Sequence, residues 1–353
     1  MLTLTARRKS TRSHRPELVA LEGRALMSTA TTRAPGHIRT EAARPPAVAI
    51  TLLPDSTPSQ RVNGYKFLNF DGPTPGTAAN TGTNLNGIAN NGTVVGFTIA
   101  NGGALGNFTA RPRHTHAASP LNINGATNAS AFGINAACTV VGSDGKGNAF
   151  LVARRTLRTF LPAGASTALA FGISDGSTIV GQQVVGAASP GFIRLRNGSY
   201  VRIDAPSGPD TVNAQGINNR GLVVGFYTGT DGQVHGLTVN QGRAKGGSLR
   251  ATAVADPVIP VVAGEPGATF VFSQILGVND RGIAVGYYGD STTSQHGFLY
   301  DTRTGRYTFL DDPKAAFNNG VEVTQITGIT NSGEIAGFYS DANGVFHGFV
   351  AAR

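Results

Sequence analysis

One pattern recurs six times along the chain: Gly-Ile (once Gly-Val), then turn and strand-start residues, then an apolar pair and a second Gly. The copies run Gly87-Ile88 to Val95-Gly96, Gly133-Ile134 to Val141-Gly142, Gly172-Ile173 to Val180-Gly181, Gly216-Ile217 to Val224-Gly225, Gly277-Val278 to Val285-Gly286 and Gly328-Ile329 to Ala336-Gly337. The two glycines stand nine residues apart in every copy, whereas successive copies start 46, 39, 44, 61 and 51 residues apart. A fixed internal spacing with variable separation describes one hairpin of constant length joined by loops of different length, which is how a repeat architecture looks in sequence.

The clearer copies continue alike. A polar loop leads to a second apolar stretch, as in His296-Gly297-Phe298-Leu299-Tyr300 or His347-Gly348-Phe349-Val350. A short turn and a last strand with an Asp-Pro-like stop follow, as in Tyr307 to Pro313 or Tyr200 to Pro206. The unit is therefore four short strands. Asn218-Asn219-Arg220-Gly221 and Thr330-Asn331-Ser332-Gly333 read as hairpin turns, because Asn and Gly accept positive φ cheaply. The strand Leu222 to Tyr227 is apolar on both faces, so its sheet is covered on both sides. The glycine after the apolar pair removes a side chain where another backbone approaches. The sixth copy lacks its last strand, and a spare one, Tyr65 to Pro73, precedes the first. Together these features predict an all-β chain: a six-bladed β-propeller of four-stranded blades over residues 62–353, closed by the N-terminal strand. Closure removes exposed sheet edges, whereas the competing open solenoid would need capped ends.

Composition agrees. The 48 glycines are too many for a helical protein, and 14% charged residues are too few for a disordered one. The net charge of +9 is concentrated: residues 1–48 hold nine Lys/Arg against three acids, and the remainder carries only +3. The repeat region thus has no bulk field for nucleic acid. Cys138 is the single cysteine, so no intrachain disulfide forms, and it stands where other copies place a turn glycine. Residues 1–61 read as a basic, mostly disordered tail, with a short helix plausible from Pro16 to Met27. The tail has neither an ordinary secretory apolar run nor a stretch of about 20 apolar residues to span a membrane.

Two resemblances add to this reading. The segment Arg15 to Ser28, with its core Leu21-Glu22-Gly23-Arg24, resembles the LEPR-XLL type of N-terminal segment, with Gly in place of the family's Pro and Met27 in place of its second leucine. That resemblance implies export. The run Gly-Ile-Asn-x-x-Gly-x-Val-Val-Gly-Phe-Tyr followed by His-Gly-Phe resembles the HAF-type bacterial extracellular repeat, best at Gly216–Leu237, Gly277–Tyr300 and Gly328–Val350. It implies an extracellular or cell-surface setting and supplies no catalytic residues.

No nucleophile elbow, HExxH, P-loop or full EF-hand pattern is present, so no catalytic residue, metal ligand or cofactor is assigned. His235, His296 and His347 begin the third strand of repeats four to six; as structural residues they would bond loop backbone, and as functional ones they would form a binding ring. His114 and His116 lack a third ligand. Asp231-Gly232 and Asp341 to Gly344 read as turns. Up-and-down strands put the loops between second and third strands on the same face as the crossings between repeats. Binding is expected there, with Val258, Glu265 and Thr269 of the longest crossing as further candidates. The expected function is that of an exported, non-catalytic binding or scaffold module, monomeric, with a protein or cell-envelope polymer as partner; nucleic acid is not expected. A propeller hydrolase or lyase acting on an extracellular polymer is the alternative, and side chains converging in the central channel would favour it.

Overall fold

The computed structural model describes residues 48–53, 62–115, 117–123, 128–242, 244 and 246–353, and every regular element among them is a β-strand. The fold is all-β. Among the described residues no helix is long and apolar enough to cross a membrane. The expected helix at 16–27 and the segment resembling LEPR-XLL lie outside these residues, as does His116.

The constant spacing of nine residues has a local cause. In every repeat the first strand carries a register shift one residue before its glycine, as between Leu85 and Gly87, Ala214 and Gly216, or Ile326 and Gly328. Such a bulge turns one carbonyl out of the ladder. The second glycine lies opposite, Gly96 against Leu85 and Gly337 against Ile326, where any Cβ would overlap the carbonyl of Asn84 or Gln325. Across its other edge, the second glycine pairs with the third strand's large apolar residue: Gly96 with Phe108, Gly142 with Phe150, Gly181 with Phe192, Gly225 with Leu237, Gly286 with Phe298 and Gly337 with Phe349. All six of these large residues are fully buried, and each contributes roughly 1.5–3 kcal/mol of hydrophobic stabilisation.

Within a repeat the strands pair antiparallel in chain order. Ser130–Ile134, Val140–Ser143, Ala149–Ala153 and Thr156–Phe160 make one four-stranded sheet; Phe270–Val278, Ile283–Asp290, Gln295–Asp301 and Arg306–Phe309 make another. The fourth repeat has only Thr252–Ala253 as its outer strand, because Ser248–Arg250 leaves to pair in parallel with Tyr200–Asp204 of the third. The sixth repeat takes its outer strand from the other end of the chain. Lys66–Asp71 runs antiparallel to Phe346–Ala352, with Asn69 opposite Phe349. A single bridge, Phe346 to Gly82, joins this sheet to that of the first repeat. Residues 48–52, which the sequence places in the tail, instead form two short strands: Val48–Ala49 pairs with Ala117 and Ala118, and Thr51–Leu52 pairs with Phe70 and Asp71. They seat Ile50 in the core beside Phe70 and Phe108.

The first glycine of each repeat makes a contact that spacing alone does not reveal. A methyl group at Gly133 would lie 2.5 Å from the carbonyl oxygen of Phe171, and one at Gly172 would lie 2.6 Å from that of Gln215. The series continues from Gly87 to Phe132, from Gly216 to Leu276 and from Gly277 to Thr327; a methyl at Gly328 would then meet Ile88 N at 2.9 Å and Gly87 Cα at 3.2 Å. The inner strands of the repeats therefore touch in turn, backbone against backbone, and the sixth meets the first.

Candidate functional site

The short turns after the inner strands carry a polar ring. The backbone N–H of Ala136 donates to Asp175 Oδ1, that of Asp175 to Asn219, that of Asn219 to Asp280, that of Asp280 to Asn331 and that of Asn331 to Asn90, each at 2.8 Å. Ala136 has no side-chain acceptor for the sixth link. The Asn90 amide instead spans the gap to Asp175 Oδ2 at 3.0 Å, where Asn219 also donates. Asp280 Oδ2 accepts from Asn219 and Asn331 in the same way. Burial pushes the Asp175 carboxyl up, but the Ala136 amide and the two asparagine side chains outweigh it and hold it below the usual range. One residue earlier, Asn135, Asn218 and Asn279 each donate a side-chain hydrogen bond to the next repeat's backbone. Beneath the ring is an axial cavity of about 90 Å³, lined by the first glycines and by Ile88, Ile134, Ile173, Ile217, Val278 and Ile329. Among the described residues no histidine, arginine, lysine, serine nucleophile with a base, or free carboxylate pair converges there, and each ring aspartate accepts three hydrogen bonds from amide groups.

The three predicted histidines sit at the opposite end of their sheets, in one recurring arrangement. Each lies across the ladder from a tyrosine: His235 from Tyr227, His296 from Tyr288 and His347 from Tyr339. Nδ1 of each meets an aspartate, Asp256 at 2.8 Å, Asp311 at 2.9 Å and Asp71 at 2.9 Å respectively. Nε2 faces the aspartate that caps the preceding loop: Asp231 at 3.0 Å, Asp290 at 3.8 Å and Asp341 at 3.5 Å. The expectation that these imidazoles bond loop backbone is thereby corrected; they bond carboxylates, and the loop aspartates in turn accept from backbone N–H groups. Asp341 Oδ1, for example, accepts from the N–H groups of Asn343 and Val345, which also accounts for the Asp-Ala-Asn-Gly turn. For His235 and His347, burial disfavours the charged ring but the paired aspartates overcome it, so both titrate above the usual histidine range.

The fifth repeat departs from its neighbours. Glu265, from the long crossing, is buried and places Oε2 3.0 Å from His296 Nε2, while its Oε1 accepts from Thr292 Oγ1 at 3.0 Å. Burial opposes the imidazolium of His296, but the bonds and charges of Asp311 and Glu265 prevail and push it up to about 9. Burial, and then the charge of Glu265, push the Asp290 carboxyl up against the Thr292 hydrogen bond. Of the other crossing candidates, Thr269 is tied to Ser291 through both its N–H and its carbonyl. Val258 is 93% exposed and Val261 89%, so the crossing is rooted at Glu265 and Thr269 and shows apolar side chains to solvent between those anchors and the fourth repeat. A further cleft of about 470 Å³ opens between the fifth and sixth repeats at the short-turn end, lined by Tyr65, Arg281, Arg306 and Arg353 among others. Sequence reasoning did not single out the polar ring, Asp256, Asp311 or this cleft.

No protein-family profile matches the chain, and no curated protein matches it in sequence. Solved structures match it at low identity. A streptogramin B lyase is 7% identical with a TM-score of 0.43, the match covering 82% of this chain and 97% of that one. The β-propeller domain of the Trilobed protease from Pyrococcus furiosus is 9% identical with a TM-score of 0.40, covering 86% and 95%. A six-bladed β-propeller lectin from the fungus Aleuria aurantia is 10% identical with a TM-score of 0.36, covering 78% and 91%.

Proposed function

We propose that residues 62–353 form a six-bladed β-propeller of four-stranded blades, closed by Lys66–Asp71, and that it serves as a non-catalytic binding or scaffold module exported to the cell surface or medium. The observation that carries this reading is the axial channel. Its glycines are closed against neighbouring backbone, and its ring carboxylates are consumed by amide donors. The channel therefore serves as a hub that holds the repeats together and offers no reacting groups. The HAF-type resemblance of the repeats and the LEPR-XLL-like segment support the address. Recognition is assigned to the face of the long loops, where an anchored crossing presents Val258 and Val261. Apolar side chains on a rooted loop fit a protein or cell-envelope polymer better than a small ion.

Two measurements test this. Fractionation of the native cells should find the chain in the medium or on the surface, and a purely cytoplasmic pool would refute export. The purified chain should co-sediment with isolated cell envelopes, and V258S/V261S should weaken that binding at least tenfold without lowering the melting temperature. Binding lost instead with R306A, in the cleft at the other end, or never present, would refute the assigned face.

A further inference from the structure

We propose that Glu265, Asp290 and His296 form a binding site for one divalent first-row transition-metal ion of the Zn²⁺ type, which fastens the long crossing to the fifth repeat. The donor atoms of these three buried side chains all lie within 4.8 Å of one another. His296 Nε2 is 3.0 Å from Glu265 Oε2 and 3.8 Å from Asp290 Oδ2. Ligands around a tetrahedral ion with bonds of about 2.0–2.1 Å stand roughly 3.3 Å apart, so these two distances straddle the separation required. One imidazole and two carboxylates suit Zn²⁺ and its first-row neighbours.

Two independent details point to a cation. The first is the orientation of Asp290. Its Oδ1 is committed to Thr292 N at 2.9 Å, Thr292 Oγ1 at 2.7 Å and Ser294 N at 3.2 Å. Its Oδ2 is buried, accepts from no N–H or hydroxyl group and faces His296 and the Glu265 carboxylate. Leaving a carboxylate oxygen buried and unbonded is costly, and a metal ion removes that cost. The second is the support behind the imidazole. His296 Nδ1 bonds Asp311 Oδ2 at 2.9 Å, and Asp311 Oδ1 accepts from Gly297 N at 2.8 Å. That arrangement fixes the ring with Nδ1–H on Asp311 and Nε2 turned toward Glu265 and Asp290, where a metal ion would take the place of the Nε2 proton.

Repeats four and six act as internal controls. His235 and His347 have the same supporting aspartates and the same loop aspartates, but among the described residues only one carboxylate on the Nε2 side. Asp231 there is half exposed. The full set of three is found among the described residues only in the fifth repeat, because its crossing supplies Glu265.

The test uses the full chain, stripped with chelator and titrated with Zn²⁺ by calorimetry and with Co²⁺ by visible absorption. The wild type should take up one tight equivalent and gain thermal stability. E265Q and D290N should each weaken that uptake at least tenfold, D311N should weaken it about tenfold, and H347Q should leave it unchanged. A wild type that binds neither ion stoichiometrically overturns the site, as does E265Q or H296Q binding as tightly as wild type. The wild-type titration decides the matter even if a variant fails to fold.

Discussion

Asp312 links the strand Lys66–Asp71 to the crossing between the fifth and sixth repeats, and replacing it with asparagine isolates the effect of that burial on stability. Its Oδ2 accepts from Asn69 Nδ2 at 2.7 Å and its Oδ1 from Lys314 N at 2.9 Å, in a site where both Asp312 and Asn69 are 2% exposed. Burial drives the carboxyl up, the Lys314 and Asn69 hydrogen bonds only partly offset it, and the group titrates at about 7 rather than 3.8. Between those values the folded chain holds a proton that the unfolded chain releases. Stability must therefore fall as pH rises through this window and level off above about 7. The separation corresponds to about 4 kcal/mol once both states are ionised. The amide introduced by D312N would carry no such proton. Its oxygen would still accept from Lys314 N, and Asn69 would turn its own amide to present oxygen to the new NH₂. Urea denaturation of wild type and D312N at pH 4, 6 and 8 should show the difference shifting by about 4 kcal/mol in favour of the variant from pH 4 to pH 8. Curves that stay parallel over this range would show that the Asp312 carboxyl is solvated, and with it that Lys66–Asp71 does not cover this crossing.

The ring of inner-strand contacts makes two further predictions. G172A places a methyl group 2.6 Å from the Gln215 carbonyl oxygen and should destabilise by about 1–3 kcal/mol through overpacking; a melting temperature equal to wild type would mean that the third and fourth repeats do not touch there. D175N removes the acceptor shared by Asn90 and Asn219 and should cost about 1–3 kcal/mol at neutral pH. Because that carboxyl titrates below its usual range, the advantage of wild type should be full at neutral pH and disappear as pH falls through the lowered titration, and a difference that persists unchanged in strong acid would count against the ring.

What was legible in the sequence was local or duplicated. The hairpin could be read because its turn, its bulge and its two glycines lie within a short stretch of chain. The pairing of the N-terminal strand could be read because Tyr65 to Pro73 repeats a motif whose counterpart is missing after Phe349, and the two strands lie side by side with Asn69 opposite Phe349. An irregular turn was legible too: Cys138, standing for the usual glycine, takes φ 56°. The illegible features were contacts between repeats. Each first glycine faces backbone of the next repeat, as Gly172 faces the Gln215 carbonyl, or backbone at the far end of the chain, as Gly328 faces Gly87 and Ile88, so its need to lack a side chain has no local mark. The carboxylates around the histidines come from separate strands and loops, with Asp71 lying 276 residues from His347. One signal was available. Tyrosine in the second strand and histidine in the third occur together in repeats four to six and are both missing from the earlier ones, which is what cross-strand neighbours sharing one polar cluster would produce. The strands at 48–52 also had a signal, the apolar and β-branched run Ala47 to Leu53 between two prolines.

Variation in loop length is where this chain departs from its own regularity, and the largest departure falls between the fourth and fifth repeats, whose starts are 61 residues apart. That extra length does two separable things. Its buried part brings Glu265 against an imidazole whose counterparts in repeats four and six have one carboxylate on that side among the described residues. Its exposed part holds Val258 and Val261 in solvent. An insertion serving only to span the gap between repeats would need neither a buried glutamate nor two nearly bare valines, since a polar linker reaches as far with no desolvation cost. Burying a carboxylate roots the loop, and rooting lowers the entropy lost when its exposed side chains are immobilised by a partner. Under the function proposed above, loosening the root with E265Q should therefore weaken co-sedimentation with cell envelopes even though Glu265 itself is buried beyond a partner's reach.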